Sequence, residues 1–252
     1  MTDPTQRFSN RVENYIKYRP TYPPEVIDVL REECQLTPID LIADIGSGTG
    51  ILAGIFLNNG NQVFAVEPNR EMRQAGERLF GNKPGFHSVD AKAEATTLPD
   101  HSVDFIAAGQ AFHWFDREKA REEFLRILKL GGWVILVWND REIDTTPFLI
   151  EYEQLLKRYA TDYDQVNHKL VDETILGRFY RTHGFKLKVF DNLQRFDFTG
   201  LEGRLLSSSY APEAGHPNHA PMLAELERIF QAHQVNGRVE FVYKTTMYYG
   251  QL

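Results

Sequence analysis

The 252-residue sequence predicts an α/β fold: a doubly wound, mostly parallel sheet of seven strands with helices on both faces. Three observations carry that prediction. Short apolar runs alternate with stretches of helical spacing between residues 41 and 138, the rhythm of strand–helix–strand units joined by right-handed crossovers. A turn with glycines at alternate positions, Gly46, Gly48 and Gly50, separates the first apolar run from the first of these helices. An acid stands at the tip of each of the first two strands, Asp44 just before the glycine turn and Glu67 just after the next apolar run.

Taken in order, residues 8–19 have one apolar face, Val12, Tyr15 and Ile16, and read as a helix that stops before Pro20, because the residue before proline avoids the helical region. Pro23 and Pro24 suit the start of a second helix over 25–34. Strands follow at 41–45, 62–66, 86–89, 103–108 and 133–138, with helices at 50–59, 70–80 and 117–128; Asn69 is placed to cap the second of these helices. Beyond Trp138 the rhythm breaks. Residues 139–147 read as a loop and 148–159 as a helix, and a polar stretch runs to His168. A helix over 172–183 ends at Gly184, and a strand occupies 186–192. Helices at 201–209 and 221–234 precede a last strand at 239–249. The whole chain reads as one domain, with stretches near 140–170 and 195–222 inserted as caps over one end of the sheet.

Composition narrows the classes. A hydrophobic content of 42% and a charged content of 25% are ordinary for a soluble globular protein. The balance of 28 basic against 35 acidic residues, net −7, speaks against a nucleic acid or anionic membrane as partner. Cys34 is the only cysteine, so an internal disulfide and a cysteine zinc site are excluded, and a reducing, cytoplasmic setting is expected. The first twenty residues lack the apolar core of a signal peptide, and no run approaches the roughly 18 apolar residues that span a bilayer.

Alternating glycines let a backbone approach a ligand closely, and the following helix start favours an anionic group. A dinucleotide turn normally spaces its glycines G-x-G-x-x-G for a pyrophosphate; here the third glycine comes one residue early, and Asp44 would repel a pyrophosphate. An acid at that point suits an ammonium, and Glu67 at a second strand tip suits a ribose diol. The run Asp44 to Gly50 with Glu67 resembles the first motif and following acidic position of class I S-adenosylmethionine-dependent methyltransferases, which have a Rossmann-like fold. Ala93-Glu94 with Leu98-Pro99-Asp100 resembles the run before strand 4 in the small-molecule group called type 11. Gln110 to Asp116 is similar to the A-x-H-W-F-D segment of trans-aconitate methyltransferase relatives, as are Tyr18-Arg19-Pro20 and 207–210. The chain departs from the family at Lys92, where an adenine-binding Asp is common, and lacks the proline usual before Gly131-Gly132.

The resemblance implies S-adenosyl-L-methionine as cofactor and a small-molecule methyl acceptor, with a carboxylic acid suggested by the trans-aconitate relatives. It implies cofactor contacts at Tyr18, Arg19, Asp44, Gly46, Ser47, Gly48, Gly50, Glu67, Pro68, Met72, Ala93, Glu94, Gln110, Ala111 and His113. Acceptor contacts are expected at Tyr15, Trp114, Trp138, Asn139 and Tyr210, and no metal is expected. His113 is the candidate catalytic residue, read as a wall of the pocket rather than as a general base. Competing readings are a nucleic-acid or protein methyltransferase, a non-catalytic S-adenosylmethionine-binding protein and a nicotinamide dehydrogenase. Against the first stand the absence of an N-P-P-Y-like segment after strand 4 and the position of Cys34, ahead of the glycine turn. The sequence leaves the oligomeric state open.

Overall fold

The computed structural model describes residues 11–163 and 171–252. The expected start of the first helix, 8–10, and part of the polar stretch before His168 lie outside them. Seven strands form one sheet in the order β3-β2-β1-β4-β5-β7-β6. They are β1 (Leu41–Ile45), β2 (Gln62–Val66), β3 (Phe86–Val89), β4 (Val103–Gly109), β5 (Leu128–Arg141), β6 (Lys186–Phe196) and β7 (Val239–Gly250). The pairings among β1 to β5 are parallel, and β7 runs antiparallel to both β5 and β6. The fold is the expected mostly parallel, Rossmann-like α/β sheet.

Period-two alternation decides which side chain serves which face. Along β4, Phe105 and Ala107 join a core with α2 (Glu25–Cys34) and α3 (Ile51–Asn59). Ile106 and Ala108 point the other way, into a core with α5 (Arg117–Ile127) and α7 (Glu173–Tyr180). A helix α4 (Arg70–Phe80) follows β2, and the Asn69 side chain caps it by accepting from the Met72 N–H. The strand order reverses between β1 and β4, so a crevice opens at the carboxyl tips of these strands, the usual ligand position in open α/β sheets.

A further core joins α6 (Pro147–Tyr159), α8 (Phe198–Leu206) and α9 (His219–His233) to Phe196 of β6 and to Val239, Phe241 and Tyr243 of β7. The N-terminal helix α1 (Val12–Tyr18) spans from α4 to the end of α8: Val12 packs with Met72 and Ala75, while Arg11 donates to the carbonyls of Leu206, Ser208 and Ala211.

Several boundaries differ from the sequence reading. Residues 139–141 are not loop but the end of β5, paired with Thr245, Lys244 and Tyr243. Likewise β6 continues to Phe196 because β7 is long enough to pair it. Helix α8 starts at Phe198, where the Asp197 side chain accepts from the Gly200 N–H, and the chain turns after Leu206. Helix α7 stops at Tyr180, because Arg181 takes a positive φ of 53° and opens a short 3-10 turn that Gly184 closes.

Candidate functional site

Two joined cavities open at the strand tips, of about 450 Å³ and 260 Å³. Tyr15, Gly46, Gly48, Gly109, Gln110 and Trp114 line both. The glycine turn forms the floor. Gly46 has φ +67°, and an added Cβ there would come within 2.7 Å of the Ala111 Cβ, so the close approach of this turn to the β4 tip requires glycine. The N–H groups of Gly46 and Ser47 donate to the Val66 carbonyl, tying the turn to the end of β2. Gln110, just past β4, also has a positive φ, 56°, which is uncommon outside glycine. Its backbone N–H donates to the Val137 carbonyl and its Nε2 to the Asn139 carbonyl, and these bonds hold it there.

Asp44 is fully buried, and neither carboxylate oxygen has a hydrogen-bond partner. Burial pushes its pKa up to about 7; the Ala53 backbone N–H, nearby but short of hydrogen-bond geometry, opposes the shift, and the Glu67 charge adds to it. A buried acid without a partner is costly, and the wall of the larger cavity that it lines is the side from which a cation could satisfy it. Glu67 lines the smaller cavity. Its Oε2 accepts from the Gly48 N–H at 2.8 Å and its Oε1 from the Asn69 N–H at 2.7 Å, which leaves each oxygen a further lone pair. Burial raises its pKa, and the two N–H groups work against that. Pro68, Met72, Ala93, Ala111 and Phe115 give the slot around it an apolar lining, and Asn69, Lys92 and Glu94 add polar groups to it.

The larger cavity is rich in arginine and tyrosine. Arg19 donates from Nη2 to the Ser207 carbonyl at 2.9 Å, and its guanidinium lies 4.9 Å from the centre of the Tyr15 ring; its buried Nε has no partner. Burial lowers the Arg19 pKa, as does the charge of Arg204. Arg141 is neutralised by Glu153 at 2.5 Å. Burial alone would raise the Tyr210 hydroxyl pKa, but Arg204, Arg19 and Arg141 outweigh it and the net shift is downward. Among the described residues, no group of histidine, cysteine and acidic side chains could hold a metal, and no helix is long and apolar enough to cross a membrane.

Residues 43–136 match the family model of a methyltransferase domain. The chain is also 34% identical to an uncharacterized methyltransferase of Schizosaccharomyces pombe over 155 residues, 60% of this chain and 59% of that one. Over 140 residues it is 37% identical to an uncharacterized methyltransferase of Mycobacterium tuberculosis, 56% of this chain and 55% of that one. The chain thus spans less than two thirds of the length of these relatives. In architecture it is similar to a candidate type II methyltransferase from Anaeromyxobacter dehalogenans, with a TM-score of 0.68 and 21% identity over 93% of this chain and 98% of that one.

The stretch that matches the family model contributes the glycine turn, Asp44, Glu67 and the segment after β4, and the arginine wall comes from outside it. Most of the residues singled out from sequence meet at the two cavities. Arg19, Asp44, Ser47, His113, Asn139 and Tyr210 line the larger one, beside the shared Tyr15, Gly46, Gly48, Gln110 and Trp114. His113 stands against Trp114, with ring centres 4.7 Å apart.

Three residues are not at the cavities. Gly50 faces away: it takes a positive φ to start α3, and the Phe80 ring occupies its side-chain position. Tyr18 packs over Gly203 and edge-on to Phe196. Trp138 is 3% exposed in the α5/α7 core, edge-on to Phe112 and Tyr248, because strand parity turns it from the cavity that Asn139 lines. Asn139 reaches the cavity wall with its amide already bonded: Oδ1 accepts from Thr245 and Asn192, and Nδ2 donates to the Thr21 carbonyl.

Sequence reasoning missed Tyr22, Arg141, Arg204 and Tyr243. Tyr22 sits so close to Gly109 that a Cβ there would collide with its hydroxyl. The prolines around it read as the end of one helix and the start of the next, not as part of a site.

Proposed function

We propose that the protein transfers a methyl group from S-adenosylmethionine to a small-molecule acceptor, a carboxylic acid. The observation that carries this reading is the buried, unpartnered Asp44 carboxylate beside a glycine turn that Glu67 braces from the next strand. The residues fit the cofactor. Asp44 would hold the ammonium of its amino-acid end and Arg19, with its free Nε, the carboxylate. Glu67 would accept from the ribose hydroxyls through its remaining lone pairs, and the slot beside Met72 and Phe115 would take the adenine.

S-adenosylmethionine supplies an activated methyl group on a sulfonium, a good leaving group. What remains for the chain is alignment and exclusion of water. Gly46 and Gly109 permit close approach at the strand tips, and Trp114 borders both cavities, where an aromatic ring would attract a cation by roughly 0.5–2 kcal/mol. A carboxylate acceptor has no proton to lose at neutral pH, so His113 serves as wall. The arginine-rich larger cavity favours an acid. In this reading the chain is one domain, capped by the segments near 140–170 and 195–222, and works in the cytoplasm.

Calorimetric titration tests the reading. S-adenosylmethionine and S-adenosylhomocysteine should bind and NAD should not. Binding of NAD alone would overturn it.

A further inference from the structure

We propose that Arg204 holds an anionic group of the methyl acceptor, and that this group is distinct from the atom methylated. The proposal rests on the methyl-transfer reading above and specifies its acceptor.

Arg204, in α8, lines the larger cavity and is 6% exposed. Its Nε donates to the Tyr243 hydroxyl at 3.2 Å and its Nη1 to the Ser208 hydroxyl at 3.1 Å. Both partners are neutral. Among the described residues no carboxylate forms an ion pair with Arg204: Glu153 is engaged by Arg141 and Lys157, and Asp44 is without a partner. Arg19 adds a second positive charge close enough to be felt. With Arg19 given over to the carboxylate of the cofactor, Arg204 is left as a guanidinium withdrawn from water without a counter-ion, an unstable arrangement unless an anion completes it. The planar fork of arginine suits a carboxylate or a phosphate, and the orientation of Arg204 is already fixed by Tyr243, whose hydroxyl in turn donates to Gln194.

The β5–β7 ladder locates this anion site. Asn139 pairs with Thr245, and Arg141 with Tyr243. Tyr243, with Arg204 bonded to it, therefore lies two residues further along the ladder than Asn139. At a rise of about 3.4 Å per residue that is ~7 Å. The Asn139 carbonyl meets Gln110, on the wall that both cavities share and where transfer would occur. An acceptor with its anion on Arg204 reaches that wall with a different atom.

The test uses the full chain saturated with S-adenosylhomocysteine. Glutarate, acetate, inorganic phosphate and neutral glutaramide are titrated against a chloride reference of equal ionic strength. We expect saturable binding of an oxyanion and none of glutaramide, with the carboxylate and phosphate arms showing which anion is preferred. Arg204→Gln should weaken that binding more than 30-fold. Arg204→Lys, which keeps the charge but not the fork, should weaken it about 3- to 10-fold and serves if the Gln variant does not fold. No oxyanion binding beyond chloride, equal binding of glutaramide, or unchanged binding in either variant overturns the proposal. With methyl-labelled cofactor, acetate should occupy the site without taking label; methyl acetate formed in step with occupancy would overturn the separation of anchor and acceptor. Failure of S-adenosylhomocysteine to bind, with Arg204-dependent anion binding intact in the cofactor-free protein, would instead remove the cofactor reading and leave the anion site standing.

Discussion

The Glu67 carboxylate accepts the Gly48 backbone N–H at 2.8 Å and so fastens the glycine turn after β1 to the tip of β2. Its other oxygen does the same for the start of α4 through the Asn69 N–H. The carboxylate thus positions both turns that border the smaller cavity.

Glu67→Gln is therefore expected to do two things. Its amide must present an N–H₂ toward one of two backbone donors, so cofactor affinity should fall by roughly 2–4 kcal/mol from weakened charge-assisted bonds. The melting temperature of the ligand-free protein should fall as well. Titration with S-adenosylhomocysteine and a thermal scan check both, and unchanged affinity in a folded variant would remove Glu67 from the cofactor site.

Asp44 gives a pH prediction with a definite sign. Its folded pKa of about 7 lies above the ordinary 3.8, so between these values the folded protein holds a proton that the unfolded chain releases. Ionisation thus lowers the stability of the ligand-free protein as pH rises through this window, by on the order of 4 kcal/mol above pH 7. An ammonium needs the ionised acid, so cofactor affinity should decline as pH falls below about 7. Asp44→Asn should bind weakly at every pH and be at least as stable as wild type at pH 8. Affinity that does not change between pH 5.5 and 8 in wild type would contradict this account.

Trp138 separates two readings of one residue. Expected from sequence at the acceptor, it is packed instead against Phe112 and Tyr248. Trp138→Ala should destabilise the protein by about 3–5 kcal/mol, the usual effect of emptying an aromatic site. Urea unfolding would show it. A variant of wild-type stability with altered acceptor preference would restore the earlier expectation.

These cases show what a sequence can disclose. Asp44, Gly46, Gly48 and Glu67 belong to neighbouring strand–turn–helix units, so spacing and residue type were enough to bring them together. The β4 segment with Gln110 and His113 was legible for the same reason. Arg204 was not: it reaches the cavity from α8, distant in sequence, and its partner Tyr243 arrives on an antiparallel strand whose register depends on long-range pairing. The same pairing extended β5 past Trp138, which local composition presented as the start of a loop. Trp138 itself was misplaced by strand parity, which a residue's position near a motif does not reveal.

His113 lies on the wall of the larger cavity beside Trp114, and the two roles open to it differ in magnitude. Glutamine keeps hydrogen-bonding capacity and cannot act as a base near neutral pH. If His113 shapes the pocket, His113→Gln should leave cofactor affinity nearly unchanged and slow single-turnover methyl transfer less than about tenfold. A general base would lose roughly 10²–10⁴ in the same measurement, and wild type would show an acid limb that the substitution abolishes. The neighbours favour the wall. Gln110 is held by Val137 and Asn139, and Trp114 borders both cavities. A carboxylate acceptor also brings no proton to remove. Transfer rates measured from about pH 5.5 to 8.5, once an acceptor is in hand, decide it; a loss above a hundredfold together with a vanished acid limb would make His113 the base.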